Sequence, residues 1–236
     1  MVKTTTNGRI SSLQVAYYHK KSMRHGDEGA RMEYLPRLAD KALDGKLQYA
    51  GAVCIRGPKW CGKTSTAEQR ARSAIYLQDP DELENHLTLA QTKPSLLLQG
   101  DKPRLIDEWQ DAPQLWDAVR FAVDRGQETG AYILTGSAVP GKKPRHSGTG
   151  RFSYLDMRPM TLFESRDSTG DVALSRLFEE GYEPEGASRA DIEDIAYLVC
   201  RGGWPRAVTI GGIRRSTSRR TTWPRSARRT SPAWTA

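Results

Sequence analysis

Apolar positions recur at spacings of three and four from Leu35 through Leu38, Ala39, Ala42 and Leu43. This predicts an amphipathic helix that begins near Met32 and stops at Gly45. Short apolar runs then alternate with helical periods. Ala52-Val53-Cys54-Ile55 predicts a buried strand, followed by a Gly-rich loop and a helix from Lys63 to Ala74. Ala74 to Leu77 predicts a second strand, closed by Asp79-Pro80-Asp81, and Arg104 to Asp107 a third after a polar helical stretch. Leu115, Val119 and Ala122 share one face of a helix over Ala112 to Asp124. Tyr132-Ile133-Leu134 predicts a fourth strand that runs into Thr135-Gly136-Ser137. After a loop over 138–150, Phe152 to Met157 predicts a fifth. Ser188 reads as the N-cap of a helix over Arg189 to Val199, with Ile192, Ile195, Ala196 and Val199 on one face. Gly202-Gly203 ends that helix, and Trp204-Pro205 opens another, since proline suits a first turn.

Strands that alternate with helices predict βαβ units, and short continuous apolar runs fit strands covered on both faces. The expected fold is therefore α/β, a parallel sheet flanked by helices with a small helical piece outside it. A length of 236 residues with 37% hydrophobic residues suffices for one such core. The longest apolar stretches are too short to span a bilayer, and no basic start precedes an apolar run, so a cytoplasmic protein without a membrane partner is expected. Three cysteines without a CxxC pair, and four scattered histidines, predict neither a disulfide framework nor a zinc site.

The net charge of +8 points to nucleic acid only until its distribution is read. Residues 1–31 carry +4 and residues 213–236 carry +7, while 32–212 carry −3. The folded part is mildly acidic, so solvated basic tails are expected rather than a nucleic-acid surface.

The candidate chemistry begins at Gly57-Pro58-Lys59-Trp60-Cys61-Gly62-Lys63-Thr64, followed by Ser65. This G-x-x-x-x-G-K-S/T pattern stands between a strand and a helix, where backbone N–H groups and a helix start can cradle phosphates. In such a loop Lys63 reaches the β- and γ-phosphates and the Thr64 hydroxyl ligates Mg²⁺. Asp107 and Glu108 end the third strand; one carboxylate can serve the Mg²⁺ shell and the other can orient the attacking water. That pair favours hydrolysis over transfer to a small molecule. Thr135, or alternatively Ser137, ends the neighbouring fourth strand and can bond the γ-phosphate or the water.

The runs YLPRLAD, GAVCIRGPKWCGKT, PRLIDEWQDAP, WDAVRFAVDR, YILTGSA, HSGTGR, MRPMTLFES and RGGWP extend from Tyr34 to Pro205. In order and spacing this stretch resembles prokaryotic AAA+ ATPases that usually carry an uncharacterised C-terminal domain. The resemblance implies a P-loop NTPase with a five-stranded sheet in the order 5-1-4-3-2, and ATP with Mg²⁺ as ligands. It implies phosphate contacts from Gly57 to Ser65, Mg²⁺ held through Thr64 and Asp107, Glu108 as the catalytic acid and Thr135 as the polar sensor. Arg151 then matches an arginine that serves as a finger or sensor. Gly203-Trp204-Pro205 matches a turn placed against the adenine, with Pro205 touching the base.

These readings divide the chain into a disordered N-terminal extension (1–31), an AAA-type core (32–165), a helical lid-like segment (166–212) and a disordered Arg-rich tail (213–236). Relatives begin near the position of Met32 and continue past Pro205, so the missing domain would set the specific partner, and self-association stays open. From Ile213 onward the chain holds seven Arg, nine Ser or Thr, two Trp and no acid. Thr221 to Ala236 admits codons whose neighbouring frame encodes an acidic, helix-spaced peptide similar to what the family carries after its glycine–proline turn. A frameshifted, truncated chain is the expectation. The function classes that follow are an Mg²⁺-dependent ATPase, a nucleotide-dependent switch with little hydrolysis, and an inactive ATPase fragment.

Overall fold

A computed structural model describes residues 34–136, 150–188 and 190–215. The expected extension (1–31), Ser137, most of the HSGTGR run and the Arg-rich tail from residue 216 lie outside the described residues. The described residues form two compact units, the first built from Tyr34 and residues 39–56, 63–136 and 150–156, the second from residues 35–38, 57–62, 157–188 and 190–215.

The first unit holds a five-stranded sheet of β1 (Ala52–Arg56), β2 (Ser73–Tyr76), β3 (Arg104–Asp107), β4 (Tyr132–Gly136) and β5 (Phe152–Asp156). The strand order is β2-β3-β4-β1-β5 and every pairing is parallel, as the family resemblance implies. Register sets Ala52 opposite both Tyr132 and Phe152, and Ile106 opposite Leu134. The strands of a parallel sheet all end on one edge, so the carboxyl ends of β1, β3 and β4 gather there. Helix α1 (Leu38–Tyr49) precedes β1, and α2 (Lys63–Glu68), α3 (Leu83–Thr92) and α4 (Gln114–Gly126) connect successive strands from β1 to β4.

One face of the sheet presents Ala52, Cys54, Ile106, Tyr132, Leu134 and Phe152 to Leu115, Trp116 and Val119 of α4 in a single buried cluster. Trp116 anchors it, stacked on Phe152 at 4.0 Å between ring centroids and tilted against Trp109 at 4.7 Å. The alternate residues Val53, Ile55, Leu105 and Ile133 are fully buried on the opposite face. There α2 packs on β1, β3 and β4 and buries Thr66 and Ala67.

Helix boundaries differ from the sequence expectation: α1 begins at Leu38 rather than near Met32, because Tyr34 to Arg37 are not helical. Gly45 does not stop α1, which runs on to Tyr49; glycine inside a helix costs only about 1 kcal/mol, less than the packing that holds the helix. Helix α2 ends at Glu68 rather than Ala74, because β2 already begins at Ser73.

In the second unit, a 3₁₀ turn (Leu174–Phe178) precedes α5 (Ile192–Arg201) and α6 (Pro205–Arg215). The cap of α5 is Asp191, not Ser188. Asp191 Oδ1 accepts the Asp194 N–H at 2.8 Å and Asp194 Oδ2 accepts the Asp191 N–H, a reciprocal capping box. The Ser188 hydroxyl instead accepts the N–H of Ala190. No helix among the described residues is long and apolar enough to cross a membrane.

Cys54 and Cys61 are buried, whereas Cys200 is exposed. Burial pushes the Cys54 thiol up to about 12 against the opposing pull of Arg56, so it stays protonated. A thiol reagent is therefore expected to label Cys200 alone in the native protein and all three cysteines after denaturation. Rapid native labelling of Cys54 or Cys61 would contradict their burial.

Candidate nucleotide site

Lys63 and Thr64 open α2 in the first unit, and Lys63 is 5% exposed. Asp107 ends β3 and Thr135 lies one residue before the end of β4; the register that sets Ile106 beside Leu134 makes them neighbours. Two hydroxyls converge on one carboxylate oxygen. Thr64 Oγ1 donates to Asp107 Oδ1 at 2.7 Å, and Thr135 Oγ1 donates to the same oxygen at 2.5 Å. Thr135 is fully buried, and its oxygen also accepts the Glu108 N–H at 3.2 Å. The cluster therefore joins the start of α2 to the carboxyl ends of β3 and β4 through charge-assisted bonds, which are stronger than neutral ones.

Glu108 takes the left-handed conformation, φ 54° and ψ 48°. Non-glycine residues adopt it at a cost, and such strain gathers at functional sites. The turn sends the chain from β3 into the 3₁₀ turn Trp109–Asp111. Gln110 there donates its amide to Glu108 Oε2, and its own Oε1 is buried without a hydrogen-bond partner among the described residues. Gly136 makes room for this amide: a Cβ at that position would lie 2.4 Å from Gln110 Oε1.

In the second unit, Gly57 to Gly62 forms the loop that the chain follows from β1 into α2. Pro58, Lys59 and Trp60 are exposed and Cys61 is buried. Gly57 has φ +156° and its Cβ would lie 2.2 Å from the Met157 carbonyl oxygen, so no side chain fits there. A Cβ on Gly62 would lie 3.6 Å from Pro205 Cγ, so Pro205 sits beside the loop. Ser65 is exposed on α2 in the first unit.

The structure does not bring Arg151 to the cluster. Its carbonyl accepts the Ala52 N–H at 3.1 Å, at the amino end of β1, and its Nε donates to Asp124 Oδ1 at 2.6 Å. A five-residue strand spans on the order of 17 Å, and that length separates the two edges of the sheet. The sequence places Arg151 beside a Gly-rich run and carries no signal of which edge receives it.

Sequence reasoning missed two features. Gln110 follows the acidic pair in LIDEWQ, where the motif itself was the available signal. The second is a buried ion pair in the second unit, Arg37 Nε to Glu164 Oε1 at 3.0 Å, between the runs YLPRLAD and MRPMTLFES. Burial alone would raise the Glu164 carboxyl, but the N–H groups of Thr161 and Leu38 and the Arg37 guanidinium outweigh it and hold it below the usual range. It is ionised at neutral pH.

Residues 50–165 match the family model described as an AAA domain. Two uncharacterised mycobacterial proteins, one from Mycobacterium bovis and one from Mycobacterium tuberculosis, are each 30% identical over 164 residues, covering 68% of this chain and 36% of theirs. The chain thus spans about a third of the length of the curated relatives it matches. Among solved structures, AMPPCP-bound DnaA from Aquifex aeolicus is 14% identical (TM-score 0.44, 77% of this chain and 59% of that one). The FIGL-1 AAA domain is 13% identical (TM-score 0.41, 84% and 83%). With a glycine-rich loop between β1 and α2, acids at the end of β3 and a parallel sheet in the order 2-3-4-1-5, residues 50–165 have a P-loop NTPase architecture and match the AAA domain model.

Proposed function

We propose that this chain binds ATP with Mg²⁺ and hydrolyses it. The observation that carries the reading is the convergence of the Thr64 and Thr135 hydroxyls on Asp107, beside Glu108 and one helix position from the buried Lys63. A hydroxyl and a carboxylate in contact are hard oxygen donors. That set suits Mg²⁺, which takes one or two protein oxygens and fills its shell with phosphate oxygens and water. The metal would supply charge neutralisation between the β- and γ-phosphates.

The chain's own groups then have distinct tasks. Gly57, Pro58, Lys59, Trp60, Cys61, Gly62 and Ser65 cradle phosphates, Lys63 neutralises them, and Thr64 with Asp107 holds the metal. Glu108 orients the attacking water and accepts its proton. Thr135 reports the γ-phosphate through the hydrogen bonds it already makes to Asp107 and to the Glu108 N–H. Pro205 lies against the base. Arg151, paired with Asp124 at the far edge, has no task in its own chain's site.

A second reading, a nucleotide switch with slow hydrolysis, is favoured by the Gln110 amide that occupies the Glu108 carboxylate. Titration with ATP and GTP, with and without Mg²⁺, alongside phosphate release, tests both. ATP binding that tightens with Mg²⁺ and is followed by steady phosphate release is expected. Binding without release selects the switch, and no binding of either nucleotide refutes both readings.

A further inference from the structure

Arg37 and Glu164 bury their side chains to 4% and 5% exposure, and both belong to the second unit. Besides its bond to Glu164, Arg37 donates from Nη1 to the Cys61 carbonyl at 2.8 Å and from Nη2 to the Arg158 carbonyl at 2.7 Å. Glu164 is equally engaged. Its Oε1 also accepts the Leu38 N–H at 2.8 Å, and its Oε2 accepts the N–H and hydroxyl of Thr161 at 2.7 and 3.1 Å. One guanidinium therefore ties three segments together: the stretch before α1, the phosphate loop, and the run that follows β5.

A buried ion pair is a poor device for stability alone, because the desolvation it costs offsets much of the attraction. Its geometric effect is specific. The peptide between Cys61 and Gly62 is planar and trans, so its carbonyl and its N–H point in opposite directions. Fixing the Cys61 carbonyl on Arg37 therefore fixes the Gly62 N–H on the opposite side. Gly62 has φ +100°, and a Cβ there would approach Arg37 Nη1 to 3.2 Å, so the loop closes directly over the guanidinium. The Cys61 thiol faces the Met157 carbonyl at 3.9 Å, a further contact between the loop and the run that follows β5.

We propose that Arg37 and Glu164 are positioning residues for the phosphate loop: Arg37, oriented by Glu164, holds the Cys61 carbonyl away from the phosphates so that the Gly62 N–H faces them. This rests on the reading of the loop as a nucleotide site. Lysine cannot replace the arginine, because a single ammonium on a flexible stem does not present a rigid fork to two carbonyls and a carboxylate at once.

The test uses the full chain with Arg37→Lys, and with Arg37→Met combined with Glu164→Met, which leaves no uncompensated buried ion. ATP and ADP affinities are measured well below the thermal transition, and kcat and KM where turnover is present. Both variants are expected to melt cooperatively, to bind ATP and ADP about 10- to 100-fold more weakly, and to raise KM far more than they lower kcat. Wild-type affinity in a folded variant overturns the proposal while the nucleotide reading stands. Failure of both variants to fold overturns it as well, since the pair would then serve the fold. If the wild type binds no nucleotide, the nucleotide reading falls and takes the proposal with it. Lys63→Ala, which leaves Arg37 and Glu164 untouched, marks the level of a lost site.

Discussion

Glu108→Gln is expected to abolish phosphate release while leaving ATP affinity nearly unchanged. The carboxylate stands at the carboxyl end of β3, its N–H is held by Thr135, and its side chain is held by Gln110. The contacts that join Thr64 and Thr135 to Asp107 do not run through the Glu108 side chain, so the substitution leaves that cluster in place. Glutamine has the same shape but cannot accept the proton of the attacking water. General-base catalysis is worth about 10²–10⁴ in rate, and a loss of that size in kcat is the expected result. Single-turnover phosphate release with a parallel binding titration makes the measurement. Unchanged turnover would move the base elsewhere; lost binding would make Glu108 part of the nucleotide pocket.

Trp116→Ala is expected to destabilise the first unit by about 3–5 kcal/mol. Trp116 is 2% exposed, is stacked on Phe152 of β5 and packs on Trp109 directly after β3. Removing the indole leaves a cavity between α4 and the sheet that the surrounding strands cannot close. A domain of this size has about 5–15 kcal/mol in total, so the loss is a large share of it. Urea denaturation should show the midpoint falling with little change in slope. A loss below about 1 kcal/mol would mean that α4 does not pack on the sheet as described. Trp109 precedes Gln110, so the same cavity also loosens the turn that presents Glu108.

The alternation of strands and helices, the glycine-rich loop before Lys63 and the acidic pair are legible in the amino-acid sequence alone. These are local signals: four apolar residues in a row, glycines at fixed spacing before a lysine, an Asp-Glu that ends an apolar run. The strand order came from the family resemblance, and the tertiary structure agrees with it. Local signals failed where a distant contact won. Gly45 reads as a stop, yet packing carries α1 through it; Ser188 reads as a cap, yet the reciprocal pair of Asp191 and Asp194 satisfies more orphan N–H groups. That Thr64 and Thr135, 71 residues apart, share one oxygen of Asp107 is a tertiary fact: strand register sets Asp107 beside Thr135, and α2 packs on β3 and β4. The tertiary structure alone placed Arg151 on the far edge of the sheet and joined Arg37 to Glu164 across 127 residues. The physical reason is common to all three. Periodicity and glycine spacing are written within one element, whereas register and the partners of a buried charge depend on which elements pack together.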